Sequence, residues 1–211
     1  MRSTTMNRNL ISVLVAIVAT LCPFVNGLNV VIAGGTGRMG QLVASKLSDH
    51  SVTILCRNSF LAKAPNRVSG DFGWVGAAFL RKHPHVSLRD YDGGDLLDIV
   101  GCDWIGWADD VLPKADVVVN VVGGYTQQRF MATERIVTES NQINRDILQI
   151  TVSPREEDLR TLTPGATTIK TNRLNDCETF VENNCINFKC LRLEAFRWEE
   201  NAQTIVDTIL G

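Results

Sequence analysis

The stretch NVVIAGGTGRMGQLVASKL, Asn29 to Leu47, constrains the fold more than any other part of the chain. A short apolar strand runs into a turn built from Gly34, Gly35, Thr36, Gly37, Arg38, Met39 and Gly40. An amphipathic pattern follows, with Met39, Leu42, Val43 and Leu47 at helical spacing. A strand–glycine turn–helix unit of this kind suits a phosphate group. Gly34 lets the chain leave the strand sharply, the missing Cβ of Gly37 lets backbone approach a pyrophosphate, and Gly40 lets the helix pack closely on the strand. The first N–H groups of the helix and its dipole then face the anion. A glycine turn with no ligand is the plain alternative, and the strand before and helix after it favour the phosphate.

Strand-like and helix-like stretches alternate from Leu28 onward. Strands are expected at Asn29–Ala33, Val52–Cys56, Val86–Arg89, Asp116–Val122, Ile147–Val152 and Asn187–Leu193. Several are apolar throughout, as strands covered on both faces must be. Helices are expected at Arg38–Ser48 and near the C-terminus, where Ala202, Ile205, Val206, Ile209 and Leu210 form an apolar stripe. Such alternation predicts an α/β domain: one doubly wound parallel sheet, a Rossmann fold, over residues 28–211. Residues Ser59–His85 and Pro154–Asn184 break the pattern and read as long connections, with Glu156, Glu157 and Asp158 as an acidic helix start.

Residues 1–27 differ in kind. Arg2 and Arg8 precede LISVLVAIVATLCPFV, 16 residues without a charge, and its last residue Val25 and the following Gly27 have signal-peptidase spacing. This predicts a signal peptide leading to the endoplasmic reticulum, to secretion, or through it to a plastid. An uncleaved anchor is the alternative, although the run is shorter than the roughly 20 residues that span a bilayer. Membrane contact is expected only through this segment. A formal net charge of −2 argues against nucleic acid as partner. Of six cysteines, Cys22 lies in the leader; Cys56, Cys102, Cys177, Cys185 and Cys190 remain. None is spaced with another or with His50, His83 or His85 as a metal site requires, so no metal is expected. One bridge among Cys177, Cys185 and Cys190 and partly buried thiols stay as alternatives.

The spacing G-x-x-G-x-x-G headed by GGTG resembles the extended and atypical short-chain dehydrogenase/reductase superfamily. ADVVVNVVGG, Ala115–Gly124, is similar to that superfamily's fourth strand, and the resemblance places Asn120, Val121 and Gly123 along the cofactor cleft. A fainter likeness to sugar-nucleotide epimerase-like proteins rests on Trp104, Trp107, Arg129, Phe130, Arg135 and Ser140. The resemblance implies a nicotinamide dinucleotide cofactor, with Asp92 accepting from the adenine amino group.

One part of the family pattern is missing. Its members carry Tyr-x-x-x-Lys after the fifth strand, where Tyr donates the proton and Lys lowers its pKa. Here the tyrosines are Tyr91 and Tyr125, neither followed by such a lysine. Tyr125, after the fourth strand, is a conceivable substitute acid or an aromatic stopper against the cofactor. Ser153 matches the family's strand-end Ser/Thr, or simply caps a strand. A capping domain does not fit in the 57 residues after Pro154, so a substrate pocket is expected from the Ser59–His85 and Thr161–Asn184 loops or from a partner subunit. Trp74, Trp104, Trp107 and Trp198 read as packing anchors.

The second strand ends Cys56-Arg57-Asn58, with no carboxylate to receive the adenosine ribose hydroxyls. Arg57 lies 17 residues after Gly40, near the expected offset of about 20. A guanidinium there grips a 2′-phosphate, and Arg38 could reach it from the other side. The expected cofactor is therefore NADP rather than NAD. Two functions fit: an NADP(H)-dependent oxidoreductase or epimerase-like protein acting on a small molecule, or a non-catalytic dinucleotide-binding redox sensor or assembly factor serving a protein partner.

Overall fold

A computed structural model describes residues 27–64, 75–91, 106–123, 127–162 and 165–211. The leader segment, Cys22, Trp74, Asp92, Cys102, Trp104 and Tyr125 lie outside the described residues.

Six strands form one sheet: β1 (Asn29–Ala33), β2 (Ser51–Cys56), β3 (Val86–Asp90), β4 (Val117–Asn120), β5 (Leu148–Pro154) and β6 (Phe188–Leu193). Their order is β3-β2-β1-β4-β5-β6, and every pairing is parallel. The chain winds outward from β1 to β3, returns to the other side of β1 at β4, and winds outward again. β1 and β4 therefore flank the point where winding direction reverses. In open α/β sheets the crevice beyond the carboxyl ends of such strands is where ligands bind.

Helices cover both faces. The helices are α1 (Arg38–Lys46), α2 (Ser59–Ala62), α3 (Gly76–Lys82), α4 (Trp107–Val111), α5 (Gln127–Ile143), α6 (Glu156–Leu162), α7 (Thr167–Asn184) and α8 (Trp198–Leu210). Alternate residues of β1 separate the two cores, as a pleated strand requires. Val30 and Ile32 join Val43, Leu47, Ile205 and Ile209 of α1, its C-terminal end and α8. Val31 and Ala33 join Trp107, Leu112 and Ile136 on the opposite face.

Two expectations need correction. Pro154–Asn184 is not an irregular connection: it contains the end of β5, α6 and α7. Within α7 the buried residues are Leu174, Cys177 and Val181, a narrow stripe in a mostly polar helix. So narrow a stripe gives little helical periodicity to read, and α5 supplies the packing partner. Ser59–His85 likewise holds α2 and α3. The first turn of α6 does carry Glu156, Glu157 and Asp158 as expected.

Candidate functional site

The glycine turn sits where β1 ends. Gly34 has φ +77, and a Cβ on it would fall 2.7 Å from the backbone of Val122 beyond β4. A Cβ on Gly40 would lie 2.2 Å from the Gly35 Cα, so the turn itself, rather than the strand, is what the helix packs against. Neither position tolerates a side chain. Gly37 is different: its nearest neighbour to a built Cβ is the Gly34 carbonyl oxygen at 3.4 Å, and its backbone is ordinary extended chain (φ −75, ψ 167). Neither backbone conformation nor a close backbone contact within the protein requires glycine there.

Gly37 is the N-cap of α1, no side chain caps this end, and no acid lies in its first turn. The opening N–H groups of the helix are thus left for an external acceptor. The turn is held in shape from behind. The Gly37 N–H donates to Gly34 O at 3.1 Å, and the buried Gln41 side chain donates to Thr36 O at 2.7 Å.

At the end of β2, Arg57 and Asn58 are exposed. The Asn58 Oδ1 accepts from the Leu61 N–H at 2.9 Å and so caps α2. Asp90, beside Cys56 at the end of β3, is engaged by the same helix, accepting from the Ser59 N–H and hydroxyl. Its carboxylate is spoken for by the protein. The Arg38 guanidinium carbon lies 5.3 Å from the Trp198 ring centre, a cation–π contact.

The ends of β4 and β5 meet around a buried arginine. Arg129, on α5, donates from Nη1 to Val122 O at 2.7 Å and from Nη2 to Val152 O at 2.7 Å and Ser153 Oγ at 3.0 Å. It is 3% exposed and straps the two strand ends together. Asn120 is also turned inward: Nδ2 donates to Thr133 Oγ1 at 2.9 Å and Oδ1 accepts from the Val122 N–H at 3.1 Å. That side-chain turn bends the chain and ends β4 at Asn120, two residues before the sequence suggests. Val121 and Gly123 flank the crevice that follows.

A pocket of about 280 Å3 opens here, and Ser153, Val121, Gly123 and Met39 line it. Its far wall is the turn from β6 into α8, including Phe196 and Trp198. A substrate pocket was expected from the Ser59–His85 and Thr161–Asn184 loops or from a partner subunit; the walls of this pocket lie at the β4, β5 and β6 ends and in the EAFRW turn. The two aromatics between an apolar strand and an apolar-striped helix were the available signal for it. Trp198, read as a packing anchor, belongs to this wall.

Cys56, Cys177, Cys185 and Cys190 are free thiols. Burial pushes Cys56 up to about 12, reinforced by Asp90, and raises Cys185 and Cys190 to about 11. Burial also raises Cys177, with Arg129 and Thr133 pulling the other way. Their thiols are therefore poor nucleophiles at neutral pH. Among the described residues no group of three His, Cys, Asp or Glu side chains could hold a metal ion, and no helix is long and apolar enough to cross a membrane.

No protein-family profile and no curated protein matches the chain. Solved structures do resemble it in fold. An NADH-dependent reductase complexed with NAD is 13% identical, with a TM-score of 0.55 over 86% of this chain and 88% of that one. The enzyme WbmH of Bordetella bronchiseptica, in complex with NAD+, is 13% identical with a TM-score of 0.54 over 88% and 73%. The negative transcriptional regulator NmrA in complex with NAD is 10% identical with a TM-score of 0.53; the match covers 78% of this chain but 44% of that one. NmrA also occurs in complex with NADP, at 12% identity and a TM-score of 0.52. The chain shares the Rossmann fold of these structures.

Proposed function

We propose that this chain binds a nicotinamide dinucleotide, NADP(H) in preference to NAD(H), across the carboxyl ends of β1 and β4. One observation carries the reading. Of the three glycines of the motif, Gly34 and Gly40 are demanded by contacts within the protein, while a Cβ on Gly37 would meet only the Gly34 carbonyl oxygen, at 3.4 Å, at a helix N-terminus that no side chain caps. A pyrophosphate laid on the α1 N–H groups supplies the missing reason. The adenosine half then lies toward β2, where Arg57 meets the 2′-phosphate with Asn58 beside it, and Asp92 is left to the adenine. Arg38, on Trp198, stands by the pyrophosphate rather than the 2′-phosphate. The nicotinamide half lies past Val121 and Gly123 toward Ser153. The fold neighbours that bind NAD or NADP support the cofactor class.

The activity proposed is that of an atypical short-chain dehydrogenase/reductase-like oxidoreductase or epimerase on a small molecule. A second reading, a non-catalytic dinucleotide sensor, is favoured by one observation: β5 leads into α6 with no Tyr-x-x-x-Lys, and Ser153, near the carboxyl end of β5, is strapped by Arg129. The N-terminal segment is proposed to direct the chain into the secretory pathway, or to anchor it there. Titration calorimetry of NADPH, NADP+, NADH and NAD+ tests cofactor binding. Incubating the NADPH complex with candidate carbonyl compounds while following absorbance at the reduced nicotinamide band separates the two readings.

A further inference from the structure

At the amino end of β1 the chain meets more acceptors than a peptide N–H can use. The Leu28 N–H donates to His50 Nδ1 at 3.0 Å, across the turn that joins α1 to β2. A ring nitrogen that accepts carries no proton, so this imidazole is neutral, protonated on Nε2. The Leu28 carbonyl accepts from the Ser51 N–H at 2.9 Å, which fixes the residue from its other side. One residue on, Asp116 Oδ2 accepts from the Asn29 N–H at 2.7 Å and from Asn29 Nδ2 at 3.3 Å. Among the described residues no cation pairs with that carboxylate.

Gly27 lies hard against the same turn. A Cβ built on it would fall 2.3 Å from the Asp49 carbonyl oxygen and 3.3 Å from the His50 Cα. Backbone cannot give way that far, so the fold admits no side chain at position 27 while that residue is present. Among the described residues no donor takes the Asp49 carbonyl. With Gly27 gone, that oxygen stands at the vacated place next to the Leu28 nitrogen. An ammonium brings three hydrogens where a peptide N–H brings one, and an α-amino group with an ordinary pKa of about 7.7–8.0 is mostly charged at neutral pH.

We propose that the mature protein begins at Leu28, and that the amino end of β1 is a receptor for the α-ammonium so created. His50 Nδ1 and the Asp49 carbonyl are its acceptors, and the Asp116 carboxylate is its counter-charge. The step is hydrolysis by a signal peptidase, with Val25 and Gly27 at the positions that enzyme reads. The hydroxyl of water goes to the Gly27 carbonyl carbon, the Gly27–Leu28 C–N bond breaks, and the Leu28 nitrogen takes the proton left over. The new carboxyl then releases a proton and the amine gains one. The inference rests on the secretory reading of residues 1–27 and chooses removal over anchoring. It is independent of the dinucleotide reading, because the receptor lies at the strands' amino ends, opposite the crevice.

The test expresses the full chain in eukaryotic cells, recovers it from the secretory pathway and sequences its amino terminus. Leu28 is the expected first residue. Gly27→Ala discriminates further, because the peptidase accepts alanine before the cut while the fold has no room for it beside Asp49. If residue 27 is removed, the variant yields the same molecule and its Tm stays within about 1 °C of wild type; if residue 27 stays, Tm falls by about 2 °C or more. Asp116→Asn keeps an acceptor for the Asn29 N–H but removes the charge. Acylation of the Leu28 amine at pH 7, read by mass spectrometry of the terminal peptide, should then run about threefold faster or more, since the ammonium loses its counter-charge. His50→Leu, which removes an acceptor, should do the same. A chain in the pathway that keeps residues 1–27 or starts elsewhere overturns the inference. So does a Gly27→Ala product of lowered Tm, or an acylation rate unchanged in both receptor variants. A whole chain found in the cytosol overturns the secretory reading, and this inference with it.

Discussion

The Arg129 guanidinium donates to the Ser153 hydroxyl oxygen at 3.0 Å while the same nitrogen holds the Val152 carbonyl. One buried cation thus fixes both the end of β5 and the side chain nearest the pocket. Replacing it by methionine keeps volume but removes its hydrogen bonds to two part-buried carbonyls and a buried hydroxyl. Arg129→Met is expected to destabilise the fold by about 1–3 kcal/mol, the cost of losing three charge-assisted hydrogen bonds at the strand ends. Urea unfolding of wild type and variant measures it, and a change below about 0.5 kcal/mol is the unexpected result.

The motif glycines should separate by function. Gly34→Ala places a Cβ 2.7 Å from the Val122 backbone at φ +77, and Gly40→Ala places one 2.2 Å from Gly35. Both are expected to lower Tm by several degrees, through strain and overpacking against backbone that has nowhere to go. Thermal unfolding followed by far-UV circular dichroism reads this directly.

Arg57→Ala should weaken NADPH by at least tenfold and leave NADH within about twofold. A charge-assisted contact to a phosphate oxygen is worth about 1.5–3 kcal/mol, and NADH carries no 2′-phosphate to lose it. Arg38→Ala should not reproduce this split, because that guanidinium stands over Trp198. Parallel titrations of both cofactors check the pair of variants.

Tyr125→Phe removes a single hydroxyl. If NADPH is turned over, the rate is expected to stay within about twofold, whereas a proton-donating tyrosine would lose about 10²-fold or more. Stopped-flow or steady-state absorbance distinguishes the two, and a collapse of turnover would make Tyr125 the acid.

Alkaline pH should destabilise the protein through its buried thiols. Cys56 is pushed up to about 12 and Cys185 and Cys190 to about 11 in the folded state, against 9.0 when unperturbed. Each raised pKa means that unfolding releases a proton above pH 9, so the stability contributed is complete below about 9 and is lost as pH rises toward 11–12. Tm measured at pH 8 and pH 10.5 should fall, and Cys56→Ala should fall less.

Much of the fold was legible because its signals are local. β1, the glycine turn and α1 form one unit with a strand's apolar run and a helix's stripe, and α8 carries a five-residue apolar face. α7 was not legible: its buried stripe is three residues, and the partner that rewards burying it, α5, lies elsewhere in the chain. The glycine turn could be read from spacing, yet the distinction among its glycines needed coordinates, since only the approach of Val122 and Gly35 shows which are required by the protein. The Arg129 strap and the Phe196 turn are tertiary facts. Sequence shows an arginine on a helix and a phenylalanine after a strand; it does not show a guanidinium reaching two strand ends or a backbone held at positive φ.

The central claim is that the glycine turn receives a dinucleotide pyrophosphate in the space left by Gly37. Gly37→Val tests it most directly, since its extended backbone suits valine and no protein atom lies closer than 3.4 Å to the added Cβ. The measurement is calorimetric titration of NADPH into wild type and variant, with Tm recorded for both. The expected result is an unchanged fold, Tm within about 2 °C, and an affinity at least about 100-fold weaker in the variant, corresponding to roughly 2.7 kcal/mol. A folded variant that binds NADPH as tightly as wild type would contradict the account.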